Sequence, residues 1–330
     1  MKKIILLAAL AAVVLTGCKS VPISGRKQLS LVDDSQVLAS SLTSYKSYMS
    51  TAAVSKNATQ SAQLTRVGRK IAAATEAYLK ANGLSSEVNN FAWEFNLVKD
   101  QELNAFCMPG GKIVVYEGMA NFVQSDDELA VILGHEVAHA VAKHSNERMS
   151  QQLLAQYGAQ ALSALTKNAS YNTQAIAGKV YGLGANYGVM LPFSRKHETE
   201  ADEMGLVLMA MAGYNPEVAV DLWTRMGQNS TSRVPEFMSS HPSDSKRAAN
   251  IKKKLPEIHK KYGQYYISTS KSSTGGASSY SNPYGAPGTV KSKNVKQNTK
   301  KTTTKTSTKT STKTKTKSTN KKKGVTDITG

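Results

Sequence analysis

Apolar and polar positions follow two different periods along the first half of the chain. Over residues 35–82 apolar side chains recur close to every 3.6 positions, which predicts a helical stretch that the Asn82-Gly83 pair would end. Residues 91–99 alternate between apolar and polar side chains, and residues 112–116 form a short apolar run, so both segments are predicted to be strands. The segment 104–111 between them ends in Pro-Gly-Gly and is predicted to be a loop.

Helix start and stop signals dominate the following residues. Ser125 is followed three positions later by Glu128, a capping-box pattern, so a helix is predicted to begin there and to run to about Met149. Residues 150–190 are rich in Ala, Gly and Gln and predict closely packed helices. Three further helices are expected at residues 194–212, 216–226 and 243–262. The predicted fold class is therefore α+β, mainly helical, with a small β-sheet.

The C-terminal part of the chain has a different composition. Thirteen lysines and no acidic residue lie between Lys291 and Lys323, so this segment carries most of the net charge of +19. Residues 263–330 have little apolar surface to bury and are predicted to be a disordered Lys/Thr-rich tail. The lysines suit contact with anionic envelope polymers. The segment lacks the aromatic and Arg side chains that stack on bases, so nucleic acid is not expected as a partner.

The N-terminus has the order of a secretory signal. Two lysines precede an apolar run over residues 4–14, which is too short to span a bilayer, and Leu-Thr-Gly-Cys follows. This tetrapeptide resembles the lipobox of bacterial lipoproteins, which implies that residues 1–17 are removed and that Cys18 is acylated. Because Lys19 follows, the outer membrane, facing the periplasm, is the expected location. The alternative is a short buried apolar helix with an unrelated cysteine.

Residues 135–139, His-Glu-Val-Ala-His, carry the clearest chemistry in the chain. On a helix, His135 and His139 lie about 40° apart around the axis and about 6 Å apart along it, so both imidazoles can bind one ion. Glu136 projects beside such an ion and can hold the attacking water. The alternative is a helix with two solvated or core histidines. The apolar flank at residues 129–134 argues against it, because a buried helix does not carry these groups without a partner.

A third zinc ligand is expected from the segment 194–202. Glu198 and Asp202 lie one turn apart, so one carboxylate can bind the ion while the other accepts a hydrogen bond from a ligand histidine. His144, five residues after the second histidine of the motif, is expected on the helix surface. The spacing leaves open three rival ligands on the same helix, which are His197, Glu200 and Glu203. The alternative is an ordinary charged helix face without a ligand.

At this point the chain resembles metallopeptidase family forty-eight, the HtpX/Oma/BepA-like zinc peptidases. The resemblance rests on residues 135–139, on the Glu-x-x-x-Asp element at 198–202, on the loop 104–111 and on the Val-Pro-Ile-Ser-Gly-Arg segment 21–26. It extends over about residues 20–262 and implies a zincin (gluzincin) domain with an active-site helix and a small sheet with an edge strand. The chain lacks the extra apolar helices of membrane-spanning members, so it is most similar to the LoiP-like lipoprotein branch.

The family resemblance also implies roles for individual residues. Glu198 would be the third ligand of one Zn²⁺ per chain, and Asp202 would support a ligand histidine. His241, which precedes a proline, would approach the zinc as a catalytic or regulatory group, and Arg247 would lie close by. From the sequence alone a histidine before a proline in a loop is more often simply exposed.

Together these features predict a membrane-anchored zinc metalloendopeptidase with Glu136 as general base. Misfolded or damaged cell-envelope proteins are the expected substrates. The strand at 112–116 would bind them by strand addition through Ile113 and Val114, and Gly110 and Gly111 would let the two backbones approach.

Two other functions fit parts of the sequence. One is an envelope-binding protein that uses its basic tail, which deletion of residues 290–330 would test by separating polymer retention from proteolysis. The other is a chaperone-like protein with structural zinc, which four protein ligands would normally close. For the peptidase, the predicted division is a signal at 1–17, an anchor and N-terminal segment at 18–50, the zinc peptidase domain at 51–262 and the tail at 263–330.

Overall fold

The computed structural model describes residues 18–185, 191–228, 237, 241 and 246–270. The predicted signal at 1–17 and the lysine-rich part of the tail lie outside the described residues. The described elements in chain order are β1 (Cys18–Ser20), β2 (Lys27–Leu29), α1 (Asp34–Thr51), α2 (Ala58–Ala81), α3 (Ser85–Val88), β3 (Glu94–Val98), β4 (Ala105–Met108), β5 (Lys112–Tyr116), α4 (Glu117–Phe122), α5 (Asp126–Val141), α6 (His144–Thr166), α7 (Tyr171–Ala185), α8 (Leu191–Met211), a 3₁₀ turn (Pro216–Val218), α9 (Ala219–Gln228) and α10 (Arg247–Ser270). The mainly helical α+β class is confirmed.

The predicted helical stretch at 35–82 consists of two helices, α1 and α2. The chain between them pairs with the outer side of β3: Val54 forms a bridge with Val98, and the Ser55 amide donates to the Leu97 carbonyl at 2.9 Å. Backbone groups that bond to β3 cannot form helical hydrogen bonds, so the helix is interrupted here. Asn57 then caps the start of α2. The predicted boundary at residue 50 falls inside α1.

The three-stranded sheet has the order β3-β5-β4, with β3 parallel and β4 antiparallel to β5. Two sequence predictions were therefore wrong. The segment 104–111 contains a strand, and the strand at 112–116 is central rather than an edge. Ile113 and Val114 point to opposite faces of the sheet and both are fully buried. The strand is therefore covered on both faces, which explains why its apolar residues form a continuous run. Gly110 and Gly111 have φ angles of 93° and 79° and form the turn between β4 and β5.

The predicted start of the motif helix is confirmed, but its predicted end is wrong. Ser125 accepts the Glu128 amide at the N-cap of α5. The helix ends at Val141 instead of Met149, because Lys143 has left-handed backbone angles (φ 54°, ψ 40°). The Lys143 ammonium group is held by two carboxylates, at 2.8 Å from Asp34 and 2.7 Å from Glu87. A new helix, α6, starts at the next residue.

Helix α5 forms the centre of the apolar core and packs closely on α8. Gly134 and Gly205 face each other at this contact: a Cβ on Gly134 would lie 2.7 Å from the Gly205 carbonyl oxygen. The two backbones can approach only because neither residue has a side chain. This contact places the His-Glu motif of α5 beside the acidic face of α8.

Helix α10 continues past the predicted end at residue 262. Tyr265 and Tyr266 are buried, so the helix still packs against the folded part at these residues. The predicted tail boundary at residue 263 falls inside this helix. Among the described residues, none of the helices combines the length and the apolar character needed to span a bilayer.

Candidate metal centre and active site

Four side chains from three parts of the chain converge on one point. One donor atom each from His135, His139, Glu198 and His241 lies within 4.8 Å of the others. The Nε2 atoms of His135 and His139 are 3.1 Å apart, and Glu198 oxygens lie 3.2 and 3.5 Å from them. Ligands about 2.0–2.1 Å from a tetrahedral zinc are about 3.3 Å from one another, so these three side chains fit the ion.

The positions of the three candidate ligands follow from two helices. His135 and His139 project from one face of α5 because they are one turn apart. Glu198 faces them from α8, at the contact that the two glycines permit. The rival ligands lie elsewhere: His197 and Glu200 belong to a separate buried cluster, while the half-exposed Glu203 pairs with Lys254 at 3.0 Å.

His241 supplies the fourth donor of the cluster. Its Nδ1 lies 3.3 Å from His135 Nε2 and 3.2 Å from a Glu198 oxygen, which is the spacing of a fourth tetrahedral corner. Its Nε2 lies 3.4 Å from Glu136 Oε1. The structure therefore brings His241 between a candidate ligand and the candidate base, although its neighbour Pro242 lies outside the described residues.

The second ring nitrogen of His135 is oriented by an acid. His135 Nδ1–H donates to Asp202 Oδ1 at 2.9 Å, and Arg247 donates to the same oxygen at 2.5 Å. The Arg247 guanidinium lies 3.4 Å from the ring centroid of Trp223, which fixes it by a cation–π contact. The predicted neighbours Asp202 and Arg247 thus lie where they can hold the imidazole with Nε2 toward the ion.

The electrostatics of this pocket favour a cation. Burial raises the pKa of Glu198, but hydrogen bonds from His135 and His139 outweigh it and hold the pKa well below its usual range. Burial and the charge of Arg247 lower the pKa of His135, yet hydrogen bonds to Asp202 and Glu198 raise it to about 9. Ionised carboxylates and neutral imidazoles are the donors that zinc takes in proteins, and a bound cation would replace the proton that the acidic neighbours stabilise on His135.

Glu136 is buried beside the ligands and is itself outside the cluster. Its Oε2 accepts the Cys107 amide of strand β4 at 3.2 Å, and burial raises the pKa of its carboxyl group. Its Oε1 makes no hydrogen bond to any residue in the described part of the chain. Because Cys107 N–H points to Glu136, the edge of β4 that faces away from β5 lines the candidate active site.

The position of His144 differs from the one that the sequence predicts. The residue was expected on the surface, yet it is buried, with its Nδ1 2.8 Å from His139 Nδ1. The five-residue spacing gives the two rings different faces on a continuous helix. Only the left-handed Lys143 between them turns His144 back toward the site, and no helical period could show this.

The fold and the centre together define a class of protein, a zincin-like metallopeptidase domain. Residues 58–255 match the sequence pattern of peptidase family M48. The chain belongs to that family, which confirms the resemblance seen in its motifs.

Individual relatives are similar over different shares of their length. The mitochondrial metalloendopeptidase OMA1 of Schizosaccharomyces pombe is 38% identical over 178 residues, which are 53% of this chain and 50% of that protein. OMA1 of Arabidopsis thaliana is 37% identical over 169 residues, or 51% and 33%. The metalloprotease LoiP of Escherichia coli is 25% identical over 257 residues, or 76% and 96%. The chain thus spans half or less of these two mitochondrial relatives and nearly all of LoiP.

Proposed function

We propose that this chain is a zinc-dependent metalloendopeptidase that binds one Zn²⁺ through His135, His139 and Glu198. The observation that carries the proposal is the tetrahedral spacing of these three donors next to a buried carboxylate, Glu136, that is not one of them. Family membership and the names of the relatives, metalloendopeptidase and metalloprotease, support it.

Zinc at this position would polarise the scissile carbonyl and lower the pKa of a water molecule to about 7. Glu136 takes the proton of the attacking water and delivers it to the leaving amine. The Cys107 amide holds Glu136 Oε2, so Oε1 is the atom that receives the proton. Burial raises the pKa of Glu136, which strengthens it as a base.

His241 Nδ1 lies at the fourth corner of the ligand cluster, so the described conformation is closed to a substrate carbonyl. We infer that the His241 side chain moves away when substrate enters. From a position near Glu136 Oε1 its ring can then donate a hydrogen bond to the developing oxyanion. The fourth ligand is therefore exchangeable, unlike that of a structural zinc site.

Strand β4 replaces the predicted strand at 112–116 as the proposed substrate-binding edge. Among the described strands it pairs with β5 alone, and the amide of Cys107 on its other side faces Glu136. An extended peptide that pairs with β4 would lie across the catalytic carboxylate. Main-chain pairing gives weak sequence preference, which suits misfolded or damaged cell-envelope proteins as substrates.

The activity is testable with the purified full-length chain and an unfolded protein such as casein. Cleavage is expected to stop on treatment with a zinc chelator, because the proposed reaction needs the metal. It should return on addition of about one equivalent of Zn²⁺ per chain, because the three ligands hold a single ion. Added Ca²⁺, which prefers oxygen ligands, serves as the control and should not restore it. Cleavage that persists in a chain shown to be metal-free would contradict the proposal.

We further propose that Cys18 carries the lipid that anchors the protein in a bacterial envelope membrane, facing the periplasm. The order of signal, Leu-Thr-Gly and Cys18 supports this proposal. In a bacterial host, Cys18→Ala is expected to move the protein from the membrane to the soluble fraction, because acyl chains on this residue supply the anchoring energy. Lys19→Ala is the matched control. A Cys18→Ala protein that stays in the membrane fraction and resists salt washing would rule out the anchor.

A further inference from the structure

The ligand His139 is the start of a chain of buried polar contacts that leads away from the metal. His139 turns Nε2 toward the other ligands, so its Nδ1 carries the proton and donates to His144 Nδ1 at 2.8 Å. The proton of His144 must then be on Nε2, which donates to Glu200 Oε2 at 3.0 Å. A single placement of protons satisfies every atom in this sequence of bonds.

Glu200 is fixed in turn by the N-terminal segment. Arg26 Nε donates to Glu200 Oε2 at 2.8 Å, and the Ser24 hydroxyl donates to the other oxygen. The guanidinium also binds Glu147 with both terminal nitrogens, at 2.9 and 2.7 Å. Because both carboxylates are buried, one guanidinium fork neutralises and orients two acids at once.

His197 packs against His144, a member of this contact chain, and also binds Glu147. Its ring stacks on His144, with centroids 4.2 Å apart and an interplanar angle of 12°, and its Nε2 donates to Glu147 at 2.9 Å. His144 is therefore held by the stacked ring on its face as well as by its two hydrogen bonds.

Arg26 belongs to a tight loop that precedes residues 58–255, the range matched to the family pattern, although its own sequence is one of the segments that resemble the family. The Val21 amide donates to the Arg26 carbonyl at 2.8 Å, and the Gly25 amide donates to the Val21 carbonyl at 3.0 Å. Ile23 has a φ of 67°, an unusual angle for a β-branched residue, which shows that the loop is held in one shape. The residues matched to the family begin only at position 58, so this loop lies outside them.

We propose that Arg26 and His144 are positioning residues for the zinc ligand His139. The loop 21–26 thereby helps to fix the geometry of the metal centre. The two ligand histidines are then supported in parallel ways: His135 through Asp202 and Arg247, and His139 through the contact chain that ends at Arg26. The proposal rests on the proposed zinc function. The competing explanation is that Arg26 only braces the N-terminal segment against α6 and α8.

Zinc affinity measured by competition with a chromogenic chelator tests the proposal on the full chain. Arg26→Gln and His144→Phe are each expected to weaken binding by about 10- to 100-fold, the usual effect of losing a partner of a ligand histidine. The cobalt-substituted proteins should show altered d–d absorption, because the His139 ring is no longer fixed. Arg66→Gln, which breaks the exposed Arg66–Asp126 ion pair, is the matched control and should leave affinity and spectrum unchanged.

Further variants separate positioning from simple bracing. Arg26→Lys keeps the charge but lacks the planar fork that binds Glu147 with two nitrogens and Glu200 with a third, so partial recovery of affinity relative to Arg26→Gln is expected. The double variant Arg26→Gln/His144→Phe should lose little more than either single one, because both interrupt the same contact chain. His144→Phe keeps a ring against His197 and leaves the ion pairs of Arg26 intact, so it remains informative if Arg26→Gln fails to fold.

The outcomes are distinguishable. A lower melting temperature with unchanged zinc affinity and an unchanged cobalt spectrum in both single variants would show bracing alone and overturn the proposal. A wild-type chain that binds no zinc would instead remove the proposed function and this inference together.

Discussion

Replacing Glu136 by Gln is expected to leave about one zinc bound per chain while reducing peptide hydrolysis by about 10²- to 10⁴-fold, the usual contribution of a general acid–base group. The amide has the same size as the carboxylate and can still accept the Cys107 amide through its oxygen. It cannot take a proton from water. Since Glu136 is not one of the clustered donor atoms, the metal should remain.

The comparison requires zinc content and casein cleavage on the same preparations. Glu203→Gln is the matched control, because Glu203 lies on α8 close to the site but is half exposed and pairs with Lys254. Its cleavage rate should equal that of the wild type. Unchanged cleavage by a Glu136→Gln chain with full zinc content would refute the role of Glu136 as base.

The parts of the site that depend on one helix were predictable from the sequence. His135, Glu136 and His139 lie within two turns, and the direction of their side chains follows from helical geometry alone. Glu198 and Asp202 are likewise one turn apart, so the sequence could show that the two carboxylates share a face. It could not show from spacing which acid on α8 reaches the ion, since that depends on how closely α8 approaches α5 at Gly134 and Gly205.

The features that the sequence did not reveal depend on contacts between distant segments. The apolar run at 112–116 predicts a strand, but only the pairing on both sides makes it central and leaves β3 and β4 (Ala105–Met108) at the two edges. Strand order is a property of the sheet and has no local signal. In the same way, the break at Lys143 is stabilised by Asp34 and Glu87, both far away in sequence, and it directs His144 toward the metal centre.

The N-terminal segment shows how such contacts change the description of the domain. Treated as an anchor region, residues 18–50 appear separable from the peptidase. The structure instead places Arg26 two side chains away from a candidate zinc ligand and Tyr45 against the sheet, where its hydroxyl donates to Glu94 at 2.8 Å. The contacts of Arg26 and Tyr45 with the fold therefore begin before residues 58–255, which match the family pattern, and the proposed metal centre draws on this earlier segment.

Glu198→Ala is expected to lose the metal. The substitution removes one of three donors and leaves the two imidazoles and His241 as the remaining members of the cluster found among the described residues. Loss of zinc affinity should exceed the 10- to 100-fold range that is usual for partners of ligands. Zinc content after gel filtration should fall well below one per chain, and hydrolysis should fall with it.

The pattern across α8 decides whether Glu198 is the ligand. Glu203→Ala, on a half-exposed side chain, should keep zinc at the wild-type level. Glu200→Ala should weaken binding less than Glu198→Ala, because Glu200 acts on His139 only through His144. Stoichiometric zinc retained by Glu198→Ala, together with loss of zinc in Glu200→Ala or His197→Ala, would move the third ligand to one of those two residues. The buried Glu198 carboxylate would then only form hydrogen bonds with the histidines. Metal binding would no longer explain the distances of 3.2 and 3.5 Å between its oxygens and the Nε2 atoms of His135 and His139.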